Sequence, residues 1–167
     1  MPTLSLRAST GLDFPPIACL IKDHASKFLD DYEEPIDQAE LLALLQAGEI
    51  IVVDDSGYPV GGFWFNTPIA DLSVEIHFIC QPALLLRAYR SGLIDKAIGR
   101  AFKIYGVKKI KARAMTSQAG AIWLLQKMKF KQNGLLRNET RHLGKVVDVF
   151  LFELHRKFYE KHHKGNP

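Results

Sequence analysis

The chain has 167 residues, 47% of them apolar and 24% charged, a balance that suits one soluble globular domain with a sizeable core. No run approaches the roughly 18 apolar residues that cross a bilayer, and Met1 to Ser9 lacks the basic start and apolar stretch of a signal peptide, so we expect a cytoplasmic protein with no membrane contact. The net charge of +4 hides an asymmetry: residues 1–83 carry a net −10 and residues 84–167 a net +14, which points the second half toward an anion or the two halves toward each other.

Along the chain, Leu4 to Ala8 alternates as a short strand. Pro15 and Pro16 open a helix with Ile17, Leu20, Ile21 and Ala25 on one face. The run Asp30-Asp31-Tyr32-Glu33-Glu34-Pro35 breaks it, and Asp37 caps a second helix that presents Leu41, Leu42, Leu44 and Leu45 before Gly48. Glu49 to Asp54 and Pro59 to Phe65 read as a hairpin about Asp55-Ser56-Gly57, with Gly61 and Gly62 marking close packing or a bulge. The clearest strand is 72–80, with Leu72, Val74, Ile76, Phe78 and Cys80 on one face and Ser73, Glu75 and His77 on the other.

Pro82 closes that strand, and a long helix from about Arg90 to Tyr105 follows, stopped by Gly106. Val107 to Ala114 is a strand with Ile110, Ala112 and Ala114 inward; Ala121 to Met128 is a short helix; Phe130 to Arg137 and Lys145 to Leu154 form a last antiparallel pair. Residues 1–157 read as a single domain and 158–167 as a basic tail whose end frays. Cys19 and Cys80 read as buried thiols of a reducing compartment, without metal-ligand spacing. The order predicts an α/β (α+β) fold, a mixed and mainly antiparallel sheet with helices on both faces.

From about residue 3 to 155 this order resembles the GCN5-related N-acetyltransferase (GNAT) superfamily. The resemblance rests on Pro59-Val60-Gly61-Gly62, on Val74-Glu75-Ile76-His77-Phe78 with Gln81-Pro82, on Gly106-Val107-Lys108-Lys109-Ile110, and on Ala121 to Phe130. In the last of these Lys129 stands where glycine is usual, and Leu125 where the family has a tyrosine that protonates the leaving thiolate. The resemblance implies that acetyl-CoA is the co-substrate and an amine the acceptor, acetylated by direct attack.

The family's phosphate signature aligns best on Arg87-Ala88-Tyr89-Arg90-Ser91-Gly92, where Arg87 and Gly92 match and Arg90 replaces a glycine. Backbone amides at such a loop and helix start bind phosphate. Phe78, Ile79, Arg87, Arg90, Ser91, Gly92 and Gln118 are therefore the implied cofactor contacts. Glu75 and His77, on one face of the central strand, are the candidate catalytic bases, with a solvent-facing or structural role as the plain alternative. Asp30, Asp31, Glu33 and Glu34 would hold a cationic amine, or only form a solvated loop.

Tyr105 falls on the apolar face of its helix and belongs to the core; His162 and His163 are a weak metal signal. The basic band Lys108, Lys109, Lys111, Arg113, Lys127, Lys129 and Lys131 lacks interleaved aromatics and does not specify nucleic acid. The altered phosphate segment and Leu125 also fit a catalytically inactive or repurposed GNAT-like protein of phage or prophage type, one that self-associates or binds a protein partner.

Overall fold

A computed structural model describes residues 4–30 and 37–163. Seven strands form one sheet in the order β1-β2-β3-β4-β5-β7-β6. They are β1 (Leu4–Ala8), β2 (Ile51–Asp55), β3 (Tyr58–Ile69), β4 (Ser73–Cys80), β5 (Lys109–Met115), β6 (Lys131–His142) and β7 (Lys145–His155). All neighbours are antiparallel except β4 and β5. Two parallel neighbours need a crossover, and the helical stretch between Leu85 and Tyr105 supplies it. The expected mixed, mainly antiparallel sheet is the one found.

The helices are α1 (Phe14–Phe28), α2 (Gln38–Gln46), α3 (Leu85–Arg90), α4 (Leu93–Tyr105), α5 (Ala119–Lys127) and α6 (Arg156–His163). On one sheet face α1 and α2 bury Ile17, Leu41 and Leu45 against Ile50 and Val52, with Trp64 at the rim. On the other, α4 buries Leu93, Ile94, Ala97, Ile98, Ala101 and Phe102 against Val53, Phe63, Val74 and Ile110. Each large side chain so enclosed contributes about 1.5–3 kcal/mol, which is why the 3.6-residue apolar period decides where α4 lies. The alternation holds from Ser73 on: Val74, Ile76 and Phe78 face α4, while Trp64, the partner of His77 in the ladder, packs toward α1 and α2; Leu72, read on the same face, precedes the strand in the turn and is exposed.

Asp37 caps α2 as expected, its carboxylate accepting from Ala39 N at 2.8 Å and Glu40 N at 3.2 Å. Gly61 sits where a Cβ would meet the Ile79 carbonyl oxygen at 2.6 Å, so β3 and β4 approach through a residue without a side chain. Arg7 of β1 ties the first elements together. Its guanidinium donates to both carboxylate oxygens of Asp13, at 2.6 and 2.8 Å, and through Nε to Asp54 at 2.9 Å. Asp13 is buried and its Oδ2 also accepts from Thr10 N at 2.8 Å.

Three expectations change. The helix read from about Arg90 to Tyr105 is α4 and begins at Leu93, while a separate helix, α3, forms before it in the stretch aligned with the phosphate signature; Ser91 and Gly92, with φ 71° at Gly92, lie between them. Cys80 is buried, which pushes its thiol up to about 12, but Cys19 is exposed on α1, where its thiol is raised by the carboxylate of Asp23. One turn from Asp23, Cys19 belongs to the helix's polar face, which its apolar neighbours concealed. The stretch read as a tail from Phe158 forms α6 as far as His163; Phe158 and Tyr159 pack against the core, and Tyr159 donates to the Asp95 carbonyl at 2.9 Å. The fraying expected beyond His163 lies outside the described residues, as do Asp31, Glu33 and Glu34.

Candidate functional site

β4 and β5 pair only at their beginnings, Ser73 with Lys109, Val74 with Ile110 and Glu75 with Lys111. Beyond Glu75 the ladder between β4 and β5 ends, so over Ile76 to Cys80 the two strands part as a wedge in the middle of the sheet. Unsatisfied strand edges are costly inside a fold unless something pairs with them. An extended ligand carrying amide groups has the matching donors and acceptors.

Glu75 sits at the vertex of this wedge, in the last paired position, between Asn66 of β3 and Lys111 of β5. His77 lies two residues on, within the parted stretch, and its ring stacks on Trp64 with centroids 5.4 Å apart and planes 9° from parallel. Phe78 points to the opposite face and stacks on Phe63 at 4.3 Å, while Ile79 is buried beside α1. The four β4 residues singled out from sequence therefore line one strand edge, Glu75 and His77 on the α1 side and Phe78 on the α4 side.

The segment expected to offer free amides behaves differently. Arg87 to Arg90 is helical, Ser91 N donates to the Arg87 carbonyl at 3.0 Å, and Gly92 N donates to the Tyr89 carbonyl at 3.1 Å. Leu84-Leu85-Leu86 favours helix and has apolar surface to bury, so the chain turns helical where a glycine-rich segment would stay open. The amides of the next helix lie further on: the first backbone bond of α4 runs from Lys96 N to the Gly92 carbonyl, and Leu93 N and Ile94 N precede it in the first turn.

Side chains of α3 reach α5 on one side and β2 on the other. Tyr89 meets the edge of Trp123 on α5 with ring centroids 5.4 Å apart, and Leu85 lies against Gly120. Arg87 reaches Asp55 at the end of β2, with Nη1–Oδ2 3.1 Å and Nη2–Oδ1 3.3 Å. Arg90 is exposed, and Ser91 Oγ donates to the Ala88 carbonyl. Gln118 caps the turn between β5 and α5, accepting from Met115 N at 2.9 Å through its side-chain oxygen. Leu125 packs into the core beside Ile122 and Trp123. Tyr105 is packed on Phe65, and burial raises its phenol above the ordinary range.

Two contacts had no sequence signal because their partners are remote in the chain. Thr140 of β6 donates its hydroxyl to the carboxylate of Asp30, drawing the end of α1 across the sheet to the β6–β7 hairpin. Ser117 Oγ and His142 Nδ1 lie 2.7 Å apart and tie the β5–α5 loop to the tip of the same hairpin. The basic band is partly neutralised, Lys109 by Glu153 and Arg113 by Glu139 at 3.2 Å. The His162 ring packs at a tilt against Phe158, with centroids 4.3 Å apart, and among the described residues no group of three or more His, Cys, Asp or Glu is placed to hold a metal ion. Among them, too, no helix is long and apolar enough to cross a membrane.

No family model matches the chain. The uncharacterized N-acetyltransferase p20 of Bacillus licheniformis is 27% identical over 73 residues, 44% of this chain, so the match spans only 41% of that relative's length. Among solved structures, the GNAT-family acetyltransferase from Bacillus anthracis superposes with a TM-score of 0.74 at 15% identity, covering 94% of this chain and 98% of that one. The structure of yncA from Salmonella typhimurium with its cofactor acetyl-CoA superposes with a TM-score of 0.77 at 18% identity, covering 92% and 94%. Likeness at such identities speaks for architecture, and it extends over nearly the whole chain. The protein has the fold of the GNAT-family acetyltransferases.

Proposed function

We propose that the chain is an N-acetyltransferase that moves an acetyl group from acetyl-CoA to an amine. The observation that carries this reading is the parted β4–β5 pair with Glu75 at its vertex and His77 just beyond. The edge of β4 from Ile76 to Cys80, including the backbone of Phe78 and Ile79, supplies donors and acceptors to an extended pantetheine arm in the way a sheet edge takes an added strand. When bound, acetyl-CoA supplies the activated acetyl thioester. Arg87, Arg90 and the first-turn amides of α4 are the groups for its phosphates.

His77 is the better base of the two candidates, because it lies in the parted stretch whereas Glu75 is still flanked by Asn66 and Lys111. On this reading His77 removes the proton of the incoming ammonium, directly or through water, and the neutral amine attacks the thioester carbon. Leu125 has no proton to give, so the thiolate leaves with solvent as its proton source. The acceptor approaches from the α1 side, where the carboxylate of Asp30 is held by Thr140.

The test is a pair of variants. His77→Ala lowers turnover by about 10²-fold or more, the ordinary worth of a general base, and leaves acetyl-CoA affinity nearly unchanged. Unchanged rates in His77→Ala and in Glu75→Gln would remove the catalytic assignment. A second reading, a GNAT scaffold turned to binding a protein partner, is favoured by the Tyr89–Trp123 and Leu85–Gly120 contacts that hold α3 against α5. It predicts no acetyl-CoA binding in any variant that keeps α3 in place.

A further inference from the structure

The Arg87–Asp55 pair has a form that bears on how a phosphate-bearing ligand would enter. Both oxygens of Asp55 lie opposite two different nitrogens of the Arg87 guanidinium, at 3.1 and 3.3 Å. That is the planar, two-pronged arrangement by which arginine also binds phosphate. The pair is not deeply enclosed: the Arg87 side chain is 35% exposed and the Asp55 side chain 20%. Such a pair contributes about 1 kcal/mol or less, little enough for a ligand with several charges to displace it.

Around it the geometry is hinged. Gly92 joins α3 to α4 in a left-handed conformation, φ 71°, which glycine adopts without strain, and the space about it is open. Beyond it lies the first turn of α4, with the amides of Leu93 and Ile94, and beside it exposed Arg90. The opposite end of α3 is held by Leu85 on Gly120, and its middle by Tyr89 on Trp123.

We propose that Asp55 is a resident anion: its carboxylate occupies the fork of Arg87 that a phosphate of the ligand would claim, and the ligand binds by displacing it as α3 turns about Gly92 and Tyr89 parts from Trp123. The proposal rests on the acetyl-CoA reading for the identity of its ligand, and on the Arg87–Asp55 and α3–α5 contacts alone for the gate itself. Asp55 is therefore an affinity-setting residue and takes no part in the chemistry. Anions that lack the reach to pay for that rearrangement are excluded, which makes the gate selective for a polyphosphate ligand.

Calorimetric titration with acetyl-CoA and with inorganic pyrophosphate, on the parent protein, Asp55→Asn, Arg87→Gln, the double variant and Asp71→Asn, tests this. Asp71 lies in the β3–β4 turn at the other end of β4, so its substitution removes one negative charge without touching the gate. Asp55→Asn tightens acetyl-CoA about fivefold, the equivalent of removing one partly exposed competing pair. Asp71→Asn gives no such gain, and the gain vanishes in the double variant. Amide hydrogen exchange over residues 85–91, measured without ligand, is faster in Asp55→Asn than in the parent.

Equal or weaker binding by Asp55→Asn, an equal gain in Asp71→Asn, or unchanged exchange over α3 would overturn the gate. If neither protein binds acetyl-CoA while Asp55→Asn binds pyrophosphate more tightly and α3 exchanges faster, the gate stands and the acetyl-CoA reading falls.

Discussion

Lys129 has a backbone φ of 65°, a conformation that a side chain disfavours and glycine accepts freely. The helix before it ends in bonds from Lys129 N to Gln126 O and from Phe130 N to Leu125 O, so the chain is held in this turn and cannot relax. Lys129→Gly should raise stability by about 0.5–1 kcal/mol, read as a higher urea midpoint at unchanged slope. No rise would mean that the lysine side chain makes up for the strain. At this scale the sequence was informative where a residue departs from a pattern: Lys129 stood where glycine is usual, and its φ supplies the reason. The exposure of Cys19 was not legible, because helical neighbours with apolar side chains say nothing about which face a small residue takes.

Arg7, Asp13 and Asp54 show what binds elements to one another. The guanidinium beside Asp13 holds its carboxyl below the usual carboxylate range, and hydrogen bonding to Asp13 is the largest cause of the rise at Arg7. Since the folded-state value of Asp13 is the lower one, its contribution is fully present above the ordinary carboxylate pKa and is lost as pH falls through the folded value. Asp13→Asn should therefore cost about 1.5–3 kcal/mol at neutral pH and much less in acid, a difference that urea titrations at two pH values measure directly. A cost independent of pH would show that the pair does no electrostatic work.

A second element contact joins α6 to α4. A Cβ at Gly99 would meet Tyr159 Oη at 2.8 Å, and that hydroxyl donates to the Asp95 carbonyl. Gly99→Ala should destabilise by about 1 kcal/mol or more in the parent, although alanine is the better helix former. In Tyr159→Phe, where the hydroxyl is gone, the same change should be near neutral or favourable, and additive effects in the two backgrounds would contradict the contact. Strands and long helices were legible in the sequence because burial imposes periods of two and 3.6 residues on them. The short helix α3 was not read, since Arg87 to Gly92 was aligned with an open phosphate-binding segment although Leu84 to Arg90 is helix-prone.

For the molecule as a whole, the acidic first half supplies β1 to β4 and the basic second half β5 to β7, so the charge boundary falls at the wedge itself. Among the ion pairs found between described residues, Arg87–Asp55 is the one that crosses the boundary. The rest of the basic surplus is left facing outward, as suits a protein that meets an anion. The mixed, mainly antiparallel character of the sheet was legible from the order of the elements, and the faces of Glu75, His77 and Phe78 from one alternating strand. The contacts of α3 with α5, the Asp30–Thr140 contact and the Arg87–Asp55 pair were not, since each joins residues whose proximity only the folded sheet creates.

Calorimetric titration of the purified protein with acetyl-CoA at moderate salt is the decisive test of acetyl transfer by this fold. One-to-one binding at micromolar concentration, about 8 kcal/mol in free energy, is expected, weakened when Arg87 is replaced by glutamine. Absence of binding at millimolar concentration, in the parent and in Asp55→Asn alike, would contradict it and leave the GNAT fold here as a scaffold for another purpose.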